Sequence, residues 1–285
     1  MPLGENRAHS NKIKEEGTGM TEDRLVFWGT GDAMGVPRVY CECPVCEEAR
    51  TGGVNRRMRS MVAVESGEER FLIDCGPDWR MQMEQRGIRT VERILVTHPH
   101  FDHIGGLPEW ADQCRWTETR GELYAPAEVL DAIRERYPWL ERNLELREAK
   151  FGLTLGGWKI AGWRVNHGKN GYSYAYRLEK PNFAWVYCPD SIGLSAEEIE
   201  PMRRADLLVL GTSFVREHAE YSTRSVYDMH EAAELLAEIR PIQAIYTHMS
   251  HDVDLNRLPE LPPGVSVAQT GLEVRLERSS GAGEV

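Results

Sequence analysis

Thr97-His98-Pro99-His100-Phe101-Asp102-His103 places three imidazoles and a carboxylate within six consecutive positions. Neutral imidazole and carboxylate suit Zn²⁺, Mn²⁺ and iron. Without a cation, side chains this crowded repel one another or leave hydrogen bonds unmade. The stretch therefore reads as a metal site rather than as a polar loop that happens to be rich in His. Three further ligand-type residues stand in the same kind of place. His167 follows the apolar run Trp158–Val165, Asp190 follows Phe183–Tyr187, and His248 follows Ile242–Tyr246. A lone His is more often a hydrogen-bonded surface residue than a ligand. Taken with the loop, however, these residues make five His and two Asp, a full set for two metal ions.

Cys41-x-Cys43-x-x-Cys46 is a second ligand-rich stretch. Three thiolates this close are soft ligands, and a structural Zn²⁺ takes a fourth. His251, three residues after His248, is the candidate. Such a zinc would tie the Asp32–Arg59 insertion to the segment presenting His248. The alternative is a redox cluster or unrelated thiols.

These residues need strands to hold them. Leu25–Gly29 reads as a short strand, Asp32–Arg59 as irregular, and Ser60–Glu65 and Arg70–Asp74 as paired strands. Asp78–Arg86 reads as a helix stopped by Gly87. Val91–Val96 is a buried strand leading into the His-rich loop, and Gly105-Gly106 reads as a turn after it. Helices are expected over Leu107–Thr117 and Ala127–Tyr137. Strands follow at Glu122–Tyr124, Leu144–Arg147, Trp158–Val165, Tyr172–Leu178 and Phe183–Tyr187. Glu197–Arg203 reads as a short helix and Leu207–Leu210 as a buried strand. Asp228–Arg240 is the strongest helix, with Asp228 and Glu231 forming a capping box. Ile242–Tyr246, Val265–Val267 and Leu272–Leu276 close the order as strands. Strands first, then alternating strands and helices, twice over, predict two packed sheets with helices outside.

The 285 residues are 41% hydrophobic and 28% charged, an ordinary soluble composition. No apolar run approaches the ~18–20 residues of a membrane span, so no membrane partner is expected. Met1–Gly19 is polar and lacks the apolar core of a secretory signal. We read residues 1–20 as a disordered extension, with Met20 as the natural start. Residues 21–278 read as one domain with a zinc-binding insertion at about 35–59, and 279–285 as a flexible tail. The net charge of −11 argues against tight binding to nucleic acid. It is compatible with a small anionic substrate, because metal cations dominate the local field. Six Cys without a signal peptide point to the cytoplasm, with a metal cluster and structural thiols instead of disulfides.

The T-H-x-H-x-D-H loop, the distal His167, Asp190 and the C-terminal His248 occur in one order across Leu25 to Leu276. In this the chain resembles the metallo-β-lactamase superfamily. The resemblance implies an α/β fold, the αββα sandwich of two mixed sheets flanked by helices, here with a Cys-rich zinc-binding insertion. It implies that His98, His100 and His167 hold one divalent ion (Zn, Mn or Fe). Asp102, His103 and His248 would hold the second, and Asp190 would bridge them. Gly29-Thr30-Gly31, Gly35-Val36-Pro37, the three Cys and Thr247-His248-x-Ser250-His251 make the pattern similar to the phosphoribosyl 1,2-cyclic phosphate phosphodiesterase (PhnP) family.

That likeness implies a homodimeric hydrolase in which a metal-bridging hydroxide attacks a small phosphate ester. 5-Phosphoribosyl 1,2-cyclic phosphate is the first candidate, and Asp102 and Asp190 are expected in the catalytic machinery. One position departs from the family. A Gly-His pair, whose His donates the proton to the leaving oxygen, lies 22 residues before the C-terminal metal His. Ser225-Val226 stands there instead. His230 is the candidate replacement, with His218 second. Arg38, Lys169 and Asn170 flank the expected site and are candidate phosphate contacts, and Ser213 is a candidate for the pocket wall. The alternatives are a tRNA 3′-processing nuclease or DNA exonuclease, a thioester or lactone hydrolase, and a non-catalytic binding protein like those of PQQ biosynthesis.

Overall fold

A computed structural model describes residues 22–150 and 152–278. The expectations for residues 1–20 and 279–285 lie outside the described residues. The chain runs β1 (Arg24–Gly29), α1 (Pro44–Arg50), β2 (Met61–Ser66), β3 (Glu69–Ile73), α2 (Trp79–Arg86), β4 (Arg93–Leu95), α3 (Phe101–Ile104), α4 (Leu107–Trp116) and β5 (Gly121–Ala125). It continues through α5 (Ala127–Arg136), β6 (Leu144–Glu148), β7 (Leu153–Leu155), β8 (Trp158–Asn166), β9 (Tyr172–Lys180) and β10 (Phe183–Cys188). The last third holds α6 (Ala196–Ile199), β11 (Leu207–Gly211), α7 (Met229–Ile239), β12 (Gln243–Thr247), β13 (Val265–Val267) and β14 (Glu273–Arg275).

Two seven-stranded sheets result, ordered β14-β1-β2-β3-β4-β5-β6 and β13-β12-β11-β10-β9-β8-β7. Both are mixed. β1, β2 and β3 pair antiparallel, whereas β3 to β6 pair parallel. The second sheet repeats this, antiparallel from β7 to β10 and parallel from β10 to β13. Parallel neighbours need crossovers, and helices supply several of them.

Strand alternation divides the apolar residues between two faces. Leu25 and Phe27 of β1 join Val62, Val64, Phe71, Trp158, Tyr176, Trp185 and Val209 in the core between the sheets. Val26 and Trp28 turn the other way, against Trp79, Met83, Trp110 and Ile133 from α2, α4 and α5. On the second sheet Val186, Leu208 and Tyr246 pack against Met229, Ala232, Leu235, Leu236 and Ile239 of α7. The architecture is thus the four-layer αββα sandwich. Among the described residues, no helix is long and apolar enough to cross a membrane.

Several expectations need correction. The Asp32–Arg59 stretch is not wholly irregular, since α1 lies within it. Its signals were there to read: Cys43 caps by accepting from Cys46 N, Pro44 opens the first turn, and Arg50 closes the last. The Val91–Val96 strand shrinks to Arg93–Leu95, and β7 was not expected. Phe101–Ile104 is a helical turn inside the metal loop, and Gly105-Gly106 joins it to α4. Glu197–Arg203 begins earlier, at Ala196 behind a Ser195–Glu198 capping box. It tightens to a 3₁₀ turn over Glu200–Met202, where Pro201 lacks the N–H an α-helix needs. The Asp228–Glu231 capping box is present in both directions, at 2.9 and 3.1 Å.

Candidate metal centre

β3 and β4 lie side by side and parallel, so Asp74 and Thr97 emerge together at their carboxyl ends. The His-rich stretch follows directly. β8, β10 and β12 of the other sheet deliver His167, Asp190 and His248 to the same edge of the sandwich. Thus residues up to 150 positions apart meet for a topological reason: His167, Asp190 and His248 are each the first polar residue beyond a strand end, and His98, the first imidazole of the His-rich stretch, lies three residues beyond β4.

The ligand-type atoms gather in overlapping trios: His98, His100 and His167; His98, His103 and Asp190; and Asp102, His103 and His248. Asp190 sits between the outer two. Its Oδ2 is 3.1 Å from His103 Nε2, and its Oδ1 is 3.6 Å from His167 Nε2 and 3.4 Å from His248 Nε2. His103 Nε2 is also 3.0 Å from Asp102 Oδ2, and His98 Nε2 lies 2.9 Å from His100 Nδ1. Except for the half-buried His100, these side chains are almost wholly buried.

The residues present fit metal ions. His103 Nε2 and Asp190 Oδ2 are buried and close together, yet neither is aligned for a hydrogen bond. Unmade contacts of this kind are costly unless a cation satisfies them. The outer nitrogens, by contrast, are engaged. His103 Nδ1 donates to Asp74 Oδ2 at 2.7 Å, and His167 Nδ1 to Ser225 O at 2.7 Å. His98 Nδ1 lies 3.0 Å from Thr97 Oγ1 and 3.2 Å from Ser173 Oγ, and His248 Nδ1 3.4 Å from Ser213 Oγ. Such partners fix the ring orientation and turn Nε2 towards the centre, where a metal would take its lone pair. Asp74 also accepts from Thr97 N at 2.8 Å and Thr97 Oγ1 at 2.9 Å. Sequence reasoning expected partners for the imidazoles but named none of these. The legible signal was an Asp directly after β3, beside the strand that feeds the metal loop.

Charge divides the cluster. Burial lowers the pKa of His98, with the neighbouring His103 adding to it. Burial likewise lowers His100 and His167, so these three are neutral imidazoles near pH 7. Burial opposes charge on His103 and His248 too, but Asp102 and Asp74 around His103, and Asp190 and Asp102 around His248, outweigh it and raise both. Reciprocally, Asp102 and Asp190 are held well below the ordinary carboxylate range, because the imidazoles overcome their desolvation.

The second cluster is equally compact. His251 Nδ1 lies 3.2, 3.5 and 3.5 Å from the sulfurs of Cys41, Cys43 and Cys46. A tetrahedral Zn²⁺, with bonds of about 2.3 Å to sulfur and about 2.0–2.1 Å to nitrogen, separates those atoms by about 3.5 Å. Backbone N–H groups of Cys46 and Arg38 point at Cys43 Sγ and Cys46 Sγ, each at 3.4 Å. Without a cation the thiols compete: burial, with Cys41 and Cys43 adding, pushes Cys46 up to about 11. His251, expected from the sequence as the fourth member, thus lies beside all three sulfurs.

The remaining site expectations are scattered. Ser213 is buried beside His248, its Oγ 3.2 Å from the His248 carbonyl. Lys169 and Asn170 are exposed on the 3₁₀ turn directly after His167. Arg38 is paired with Asp32 at 2.8 Å within the insertion. His230 is exposed in the first turn of α7 and lines an outer groove with Pro259, Leu261 and Pro263. It and His218 also line a second groove with Arg224, and neither belongs to the ligand trios. Val226 is buried but belongs to none of the apolar clusters, and its neighbour Ser225 holds His167.

Comparison with known proteins agrees with this geometry. The family model for the beta-lactamase superfamily domain matches residues 69–249. A solved diphosphatase from the PhnP family superposes with a TM-score of 0.77 at 27% identity, covering 90% of this chain and 98% of that one. An octanoyltransferase of Porphyromonas gingivalis is 30% identical over 267 residues, 89% of this chain. The chain spans about half of that longer protein, 52% of its length. A ribonuclease Z of Archaeoglobus fulgidus is 27% identical over 246 residues, covering 66% of this chain and 80% of the relative.

Proposed function

The chain belongs to the beta-lactamase superfamily, and from that premise we propose that it is a two-metal hydrolase of phosphodiesters. One observation carries the reading: five imidazoles and two carboxylates converge, the outer nitrogens of His98, His103, His167 and His248 are engaged, and His103 Nε2 and Asp190 Oδ2 are buried at the centre without a hydrogen-bond partner. The similar diphosphatase and ribonuclease Z favour phosphate substrates over others handled by this fold.

On this reading His98, His100 and His167 would hold one divalent ion and Asp102, His103 and His248 the other, with Asp190 within reach of both groups. Bound ions supply Lewis acidity: they lower the pKa of a water and offset charge growing on phosphoryl oxygens. The chain's own residues do the rest. Asp74, Ser225 O, Thr97, Ser173 and Ser213 hold the rings in register. Lys169 and Asn170, exposed beside His167, receive the substrate phosphate. Arg38 stays paired with Asp32, so it shapes the insertion rather than binding phosphate. Proton donation to the leaving oxygen falls to solvent rather than to residue 226. The substrate is a small anionic phosphate ester, with 5-phosphoribosyl 1,2-cyclic phosphate first and a diphosphate diester second. The protein works in the cytoplasm as a homodimer that meets through the exposed Met34, Val39 and Tyr40 of the insertion.

The resemblance to half of an octanoyltransferase favours one other reading, hydrolysis of an acyl thioester. A panel of cyclic phosphates, a diphosphate diester, bis-nitrophenyl phosphate and an acyl thioester, with Zn²⁺- and Mn²⁺-loaded protein, tests both. Turnover of the phosphate esters supports the first reading. Turnover of the thioester alone replaces it with the second.

A further inference from the structure

The segment Thr247–Leu255 carries two ligands for two different clusters, His248 and His251. His248 has a φ of +58°, a left-handed conformation that a non-glycine residue keeps only where its surroundings hold it. The Cys-bearing insertion supplies much of that hold. Met249 N donates to Thr30 O at 2.9 Å, and Asp32 N to Met249 O at 3.2 Å. Arg57, 2% exposed, sends Nη2 to the carbonyls of Ser250 and Val253 at 2.8 and 2.9 Å. Its Nη1 reaches Asn55 Oδ1 at 3.3 Å. Asn55 in turn accepts from Leu255 N at 2.8 Å and donates to Asp254 Oδ1 at 2.9 Å. The Arg57 backbone is itself tied to Val36 by two hydrogen bonds, at 2.8 and 2.9 Å.

Burying a guanidinium is unfavourable, and desolvation pulls Arg57 down to about 10. Among the described residues, no carboxylate lies in ion-pair contact with it. Its hydrogen bonds go to Asn55 Oδ1 and to a pair of carbonyls, one on each side of His251, while the more distant charges of Asp32, Asp254 and Glu48 favour the cation.

We propose that Arg57 is a positioning residue that couples the two clusters. It fixes the turn Ser250–Val253, so that metal in the Cys41/Cys43/Cys46/His251 site sets metal affinity at the Asp102/His103/His248 site. With His251 ligated and its flanking carbonyls gripped, the turn has one conformation and His248 Nε2 stays 3.4 Å from both Asp102 and Asp190. With either restraint gone, His248 relaxes out of its left-handed conformation and its ring leaves the cluster. This rests on the metal reading of both clusters and on no particular substrate.

The test is a Co²⁺ titration of full-length wild type, Arg57→Met and Arg57→Lys. Cobalt on thiolates gives a sulfur-to-metal charge-transfer band that cobalt on His and carboxylate lacks, so each site is read separately. Arg57→Met should keep the thiolate band while affinity at the His/Asp site falls by about 10–100-fold, the usual effect of losing an outer partner. Arg57→Lys, whose ammonium can still reach the carbonyls, should recover part of it. Stripping metal from the wild-type thiol cluster with a mercurial needs no variant to fold, and it should weaken the other site similarly. Undiminished affinity at the His/Asp site, in Arg57→Met or in the stripped wild type, overturns the coupling. A wild type that takes up cobalt at neither cluster overturns the metal reading as well.

Discussion

Asp74→Asn separates orientation of a metal ligand from simple packing. Asp74 accepts three buried donors, Thr97 N at 2.8 Å, Thr97 Oγ1 at 2.9 Å and His103 Nδ1 at 2.7 Å. Its φ is +70°, which Asn tolerates about as well as Asp. Asn keeps one acceptor oxygen, and if that oxygen stays on Thr97 its amide N–H₂ faces His103 Nδ1. Two donors then oppose each other unless His103 moves its proton to Nε2, the atom facing Asp102 and Asp190. A proton there blocks coordination. We expect metal affinity at this site to fall about 10–100-fold, with stability reduced by about 1–3 kcal/mol for one mismatched buried group. Asp74→Ala orphans Thr97 N and His103 Nδ1 together, about 2–6 kcal/mol, a large part of an ordinary domain's stability. Competition with a chromophoric chelator reads affinity, and thermal denaturation reads stability. Wild-type metal affinity in a folded Asp74→Asn protein would refute the claim that Asp74 sets the His103 proton.

Asp190→Ala should remove most metal from the His/Asp cluster along with turnover. Full metal content by elemental analysis would contradict its place between the two trios. Cys43→Ser should lose the thiolate-bound zinc and melt at lower temperature, whereas an equally stable, fully zinc-loaded variant would remove the tetrahedral site. Metal entering beside His103 and His248, whose pKa values are raised, must displace protons near pH 7. Affinity there should therefore climb with pH, while binding to the neutral His98, His100 and His167 should release none. Calorimetry in two buffers of different ionisation heat checks this, and identical heats at both steps would count against it. Val226→His should raise turnover of an alkoxide-leaving cyclic phosphate relative to a nitrophenyl ester, towards the ~10²–10⁴-fold that a general acid contributes. An unchanged ratio of the two rates would mean that residue 226 does not face the leaving group.

What the sequence determined by itself is the set of ligand-type residues and the layer pattern. His98, His100, Asp102 and His103 are neighbours in sequence, so their crowding is visible without a fold. Period-two strands and one capped helix predict the sandwich, since alternation assigns each apolar side chain to a face. His251 was legible as well, because three thiolates call for one more ligand of a known kind.

Tertiary structure alone decided the partners of those ligands. Asp74 is 29 residues from His103, Ser173 is 75 from His98, and Ser225 is 58 from His167. The last of these acts through a backbone carbonyl, which every residue possesses and no sequence distinguishes. Arg57 does not stand out in the sequence; the fold buries it, 193 residues from the Ser250 carbonyl it holds. His230 shows the converse. It is close in sequence to where a proton donor was sought, but helical phase turns it outward, because Met229, Ala232 and Leu236 claim the inner face of α7. Ligand identity is a local property of residue type. Orientation and proton placement depend on what topology brings to the far side of each ring.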